Sequence, residues 1–104
     1  MADRIQTDIN REIVPLKPNM YAVIMHNDDY TTMDFVVSVL TKIFHKTDEE
    51  SHKIMMKVHT TGKSIVGIYT YDIAMSKRVQ AESYATENEF PLKITVDVET
   101  SKIK

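Results

Sequence analysis

The chain has 104 residues, 42% hydrophobic and 27% charged, with a formal net charge of −2. That is material for one small domain with one core, without the basic surplus that marks a nucleic-acid or anionic-membrane binder. It contains no cysteine, which excludes disulfides, thiolate nucleophiles and cysteine-held zinc and suits a reducing cytosol.

Residues 1–19 mix charges and amides without a sustained period, and Pro15 and Pro18 break any element there, so a flexible arm is expected ahead of a core domain over residues 20–104. Met1 to Ile5 lacks the apolar run of a secretory signal, and apolar runs such as Ile65 to Tyr69 are too short to span a bilayer. A cytoplasmic protein is therefore expected.

Met20 to His26 reads as a strand, and Asn27-Asp28-Asp29 as the turn that ends it. Thr31 or Thr32 can cap a following helix that has Asp34 in its first turn. Met33, Val36, Val37, Leu40, Ile43 and Phe44 recur at helical spacing and predict its buried stripe. Thr47-Asp48-Glu49-Glu50 is a capping box opening a second helix to about Thr61, with Gly62 as its left-handed end and Ile54, Met55 and Val58 facing inward.

Ser64 to Tyr71 is β-branched and aromatic and predicts a strand. Asp72 to about Glu87 predicts a third helix with Ile73, Val79, Ala81, Tyr84 and Ala85 on its core face, and Pro91 stops it. The last strand alternates, with Leu92, Ile94, Val96 and Val98 on one side and Lys93, Thr95, Asp97 and Glu99 on the other. Alternation of this kind means one covered face and one wet face. The order β-α-α-β-α-β gives an α+β fold class: a two-layer domain, a three-stranded antiparallel sheet with three helices on one face.

Only two glycines occur, Gly62 and Gly67, so there is no phosphate-cradling loop, and no nucleophile elbow is present. The chemistry-bearing feature is the acidic turn Asn27-Asp28-Asp29 directly after a strand. It either serves the turn and helix start alone or offers carboxylates to a ligand. His59 lies one turn beyond Met55 and beside Val58, where a histidine is either packed or functional. His26, Asp28, Asp29 and His59 are the set a metal-assisted hydrolase would need, although their spacing does not demand a metal. Seven methionines suit an adaptable binding surface or plain core filling. If Met33, Val36, Met55, Val58 and Leu92 converge beside the acidic turn, they make an apolar hole with carboxylates at its rim. A purely structural interaction domain is the third reading; the C-terminal domain of the ribosomal stalk protein has a similar helix-strand order.

Tyr21-x-Val23-x-x-x-Asn27-Asp28-Asp29-Tyr30-Thr31-x-Met33-x-Phe35-Val36-Val37 resembles the signature of the ClpS family, adaptors of the ATP-dependent Clp protease. Met55-x-x-Val58-His59-x-x-Gly62-Lys63, Gly67-x-Tyr69, Ala74-x-x-Lys77 and Glu87-Asn88-Glu89-x-Pro91-Leu92 follow in order, so the resemblance spans roughly residues 20–98. It implies the same order of elements and no enzymatic activity, metal or cofactor. It implies an adaptor that recognises proteins beginning with Leu, Phe, Tyr or Trp, the destabilising residues of the N-end rule, and delivers them to ClpAP. Asn27, Asp28 and His59 would hold the α-amino group, and Asp29 and Thr31 would line or brace the mouth. Met33, Val36, Met55, Val58 and Leu92 would take the first side chain, with Met33 crowding β-branched residues. Asp72 and Lys77 would dock on the N-domain of a ClpA-type unfoldase, and the arm would engage the unfoldase during handover. Two departures touch the docking surface: Met75 replaces a frequent acid, and Asp72 is shorter than the usual Glu.

Overall fold

The computed structural model describes residues 19–99. The expected arm lies outside them except for Asn19. The elements are β1 (Tyr21–His26), α1 (Met33–Lys42), α2 (Asp48–Thr61), β2 (Lys63–Tyr69), α3 (Tyr71–Glu87) and β3 (Lys93–Val98). The strands form one antiparallel sheet in the order β2-β1-β3, with β1 central. The three helices cover one face, as the alternation in β3 and the order of elements predicted.

Local chemistry sets most boundaries. Thr32 caps α1 by accepting from the Phe35 amide at 3.1 Å. At the start of α2 both halves of the capping box form: the Glu50 amide donates to Thr47 Oγ1 at 3.1 Å, and the Thr47 amide donates to Glu50 Oε1 at 2.9 Å. Gly62 ends α2 at φ 98°, a left-handed conformation that costs a side-chain-bearing residue about 1–2 kcal/mol. The strand boundaries differ from expectation by one or two residues, most at the end of β2. β2 stops at Tyr69 because Thr70 takes an extended helix-capping conformation and Tyr71 already opens α3. The Tyr71 ring meets Tyr21 edge-on at 5.1 Å.

Val23 and Met25 of β1, Val66 of β2 and Ile94 of β3 form the sheet's contribution to the core, at 3% exposure or less. A bulge in β2 breaks the register between Val23 and Ile24. From α1 the core takes Phe35, Val36, Val39 and Leu40, and from the connection that follows it Phe44; Phe35 and Val39 lie outside the predicted stripe. Phe35 joins elements, with its ring 4.9 Å from Tyr84 and 4.7 Å from Phe90.

Helix α3 corrects the sequence reading. Its buried residues are Ala74, Ala81 and Ala85, with Tyr84 partly buried, whereas Ile73 and Val79 are about half exposed. Residues 74, 81 and 85 share one helical stripe, and their small side chains let α3 sit close against the sheet. The larger side chains fall off that stripe. Val98, expected inward, is nearly half exposed where it pairs with Tyr21 at the end of an edge strand.

Candidate functional site

The ends of β1 and α2 are tied together. Strand pairing sets His26 opposite Lys63, and the Asn27 amide then donates to the carbonyl of Gly62 at 2.9 Å. Gly62 in turn donates to Val58 O at 2.9 Å, closing α2. Asn27 is thereby held beside the last turn of α2, which carries Val58 and His59.

The acidic turn is fixed through Asp28. Its Oδ1 accepts from the Tyr30 amide at 2.8 Å and the Thr31 amide at 2.7 Å, while Oδ2 accepts the Thr31 hydroxyl at 2.7 Å. Burial pushes the carboxyl upward, but the bonds from Thr31 and Tyr30 outweigh it and hold Asp28 below the usual carboxylate range. It is therefore an anion at neutral pH. A carboxylate has about four acceptor positions, and three are used here. One remains, on Oδ2.

This turn, the start of α1 and the end of α2 enclose a cavity of about 400 Å³. Asn27, Asp28, Asp29, Thr31, Met33, Val36, Met55, Val58 and His59, all singled out in the sequence, line it. Val36, Met55 and Val58 are buried and form its apolar part, while Met33 is 42% exposed at the opening. Two lining residues, Tyr30 and Thr32, were not among the expected site residues, although Tyr30 stands in the family signature and Thr32 was read as a helix cap. Their position inside the same polar turn was the available signal.

Other candidates lie elsewhere. Leu92 is buried in the core and does not line the cavity, since its place just ahead of β3 turns it inward among the core residues. His26 sits on the opposite side of the sheet from the core, where its Nε2 lies 2.8 Å from Thr95 Oγ1. Burial, then Lys93 and Lys63, lower its pKa. Among the described residues no three histidine or carboxylate side chains converge at metal-binding positions.

Lys77 spans two helices, its Nζ donating to Ile43 O at 2.8 Å and satisfying a carbonyl at the end of α1. Asp72 is exposed in the first turn of α3. A second depression of about 390 Å³ runs along α3 by Val79, Glu82, Ser83, Thr86 and Glu87. One helix alone lines it, mostly with polar residues, and it lacks the convergence of the site above. No helix among the described residues is long and apolar enough to cross a membrane.

The family model described as "ATP-dependent Clp protease adaptor protein ClpS" matches residues 16–95. The ATP-dependent Clp protease adapter protein ClpS of Acetivibrio thermocellus is 55% identical over 83 residues, covering 80% of this chain and 84% of that protein. The protein of the same name from Syntrophus aciditrophicus is 47% identical over 92 residues, covering 88% of this chain and 86% of its own. Among solved structures, Agrobacterium tumefaciens ClpS2 bound to L-phenylalaninamide superposes with a TM-score of 0.77 at 35% identity, covering 80% of this chain and all of that one.

Proposed function

The chain belongs to the ClpS family of adaptors for the ATP-dependent Clp protease, and from that premise we propose that its cavity captures the free N-terminus of proteins beginning with Leu, Phe, Tyr or Trp. The observation that carries this is one cavity with two chemistries: an ionised carboxylate with a spare acceptor position at the rim, and a floor of Val36, Met55 and Val58.

The division of labour follows from charge and shape. A free α-amino group has a pKa of about 7.7–8.0 and is mostly cationic at neutral pH. Asp28 supplies the opposite charge, the Asn27 side chain supplies an acceptor oxygen, and His59 adds a ring nitrogen. Thr31 braces the carboxylate, and Asp29 lines the mouth. The first side chain enters between Met33, Val36, Met55 and Val58, gaining about 1.5–3 kcal/mol on burial. Leu92 backs that wall from the core. L-phenylalaninamide, bound by the 35%-identical Agrobacterium tumefaciens ClpS2, pairs the same two features, an amine and an apolar side chain.

Delivery needs a second surface. It is assigned here to Asp72 and Lys77, docking on the N-domain of a ClpA-type unfoldase. The Lys77 ammonium spends one donor on Ile43 O and keeps two for a partner.

Fluorescence anisotropy with peptides varying only in first residue and amine tests the proposal. Free-amine peptides starting with Leu, Phe, Tyr or Trp are expected to bind and their acetylated twins not to. Equal binding of the two sets would defeat it.

A further inference from the structure

One cavity-lining residue has been given no role above, and the fold leaves its side chain unused. Tyr30 is 74% exposed, and among the described residues its ring has no stacking partner and its hydroxyl no hydrogen bond. The backbone beneath it is held: its amide donates to Asp28 Oδ1 at 2.8 Å, and the next residue is bound to both oxygens of the same carboxylate. The backbone beneath the ring is therefore fixed at the cavity mouth, and a group packing on the ring has only the side chain's own rotamers to order.

A captured N-terminus puts its amine and first side chain inside. The carbonyl of that first residue must lead out, so the second residue lies across the mouth. Residues 27–31 and Met33 form that mouth, and Tyr30 offers the largest apolar surface among the turn residues. Resting on the reading above, we infer that Tyr30 is the platform for the second residue's side chain. The adaptor thereby prefers substrates whose second residue is aromatic over those with glycine there.

The test uses three free-amine ligands on the full chain: phenylalaninamide, Phe-Gly-amide and Phe-Phe-amide. The wild type is expected to bind Phe-Phe-amide roughly two- to tenfold tighter than Phe-Gly-amide, the range for one aromatic pair. Tyr30→Ala should bring that ratio close to one, while phenylalaninamide, which ends before the ring, loses less than about twofold. Tyr30→Phe should keep the ratio, because the ring rather than the hydroxyl acts. A ratio that survives Tyr30→Ala overturns the inference, as does a wild type without any preference. A large loss of phenylalaninamide affinity in Tyr30→Ala also overturns it, since the residue then serves the first pocket. If the wild type does not bind phenylalaninamide at all, the amine-capture reading falls and takes this one with it.

Discussion

Replacing Asp28 with asparagine separates the two jobs this side chain holds. The amide keeps the shape, and its oxygen at the Oδ1 position still accepts from the Tyr30 and Thr31 amides. At the Oδ2 position an NH₂ now donates, so the Thr31 hydroxyl has to turn away. The charge is what disappears. Hydrogen bonds to charged groups contribute about 1.5–3 kcal/mol against about 0.5–1.5 for neutral ones. The site is only partly buried, so the turn is expected to lose about 1–2 kcal/mol of stability, and a domain of this size loses about 4–8 °C of Tm per kcal/mol. The ligand loses more. Depriving a buried cation of its charged partner costs about 2–5 kcal/mol, and the open mouth favours the low end. That is an affinity loss of about thirtyfold. Anisotropy titrations of a Phe-initiated peptide and its acetylated twin, on both proteins, isolate the amine–Asp28 coupling, with urea melts in parallel. If the variant binds the free amine as tightly as the wild type while folding normally, Asp28 is a turn residue and no more.

Three further outcomes are expected. Met33→Ala opens the rim and should admit Ile- and Val-initiated peptides at least fivefold better relative to Leu, a gain of about 1 kcal/mol; unchanged rejection in the same anisotropy panel would show that Met33 is not the sieve. The Ser51 hydroxyl is fully buried on α2 without a hydrogen-bond partner among the described residues, so Ser51→Ala should raise stability in calorimetry by about 1 kcal/mol, and a marked loss would reveal a partner for that hydroxyl. Stability should fall in two acid windows. His26 has a lowered pKa, through burial first and then Lys93 and Lys63, so its unfolded form takes up protons first and stability declines as pH drops through about 6.5. Asp28 and Glu50 are lowered below the carboxylate range by their turn and capping hydrogen bonds, so their contribution is present above about pH 4 and is lost below it. Urea melts across pH should show His26→Gln removing the first window alone; persistence of that window would assign it to another group.

Features written in local chemistry were legible from sequence: the capping box Thr47–Glu50, the left-handed Gly62, the acidic turn, and the alternation of β3. So was the cavity lining, because the residues recognised as a motif are also neighbours across two adjoining element ends. Where the reading failed, tertiary packing had decided the outcome. Ile73 and Val79 look like core residues by type, yet α3 packs through alanines, and nothing in a single helix sequence says that closeness will win over bulk. Phe35 and Val39 fell off the predicted stripe because α1 is covered on more than one side, which broadens its buried face. Leu92 was placed in the pocket by resemblance, but the entry into β3 turns it into the core. Lys77 gave no sign of its bond to Ile43 O, a contact between residues 34 positions apart.

The link between α2 and β2 is a single residue, Gly62, and its carbonyl is the anchor for Asn27. The spacing between the amine-binding corner and the greasy floor is thus measured off by one strand register, with no slack on the helix side. An extra residue inserted at Gly62 would rotate His59 by about 100° relative to Asn27, given 3.6 residues per turn. Length changes at this joint should therefore shift the amine-binding corner against the apolar floor directly, which equal changes in the α1–α2 connection would not do.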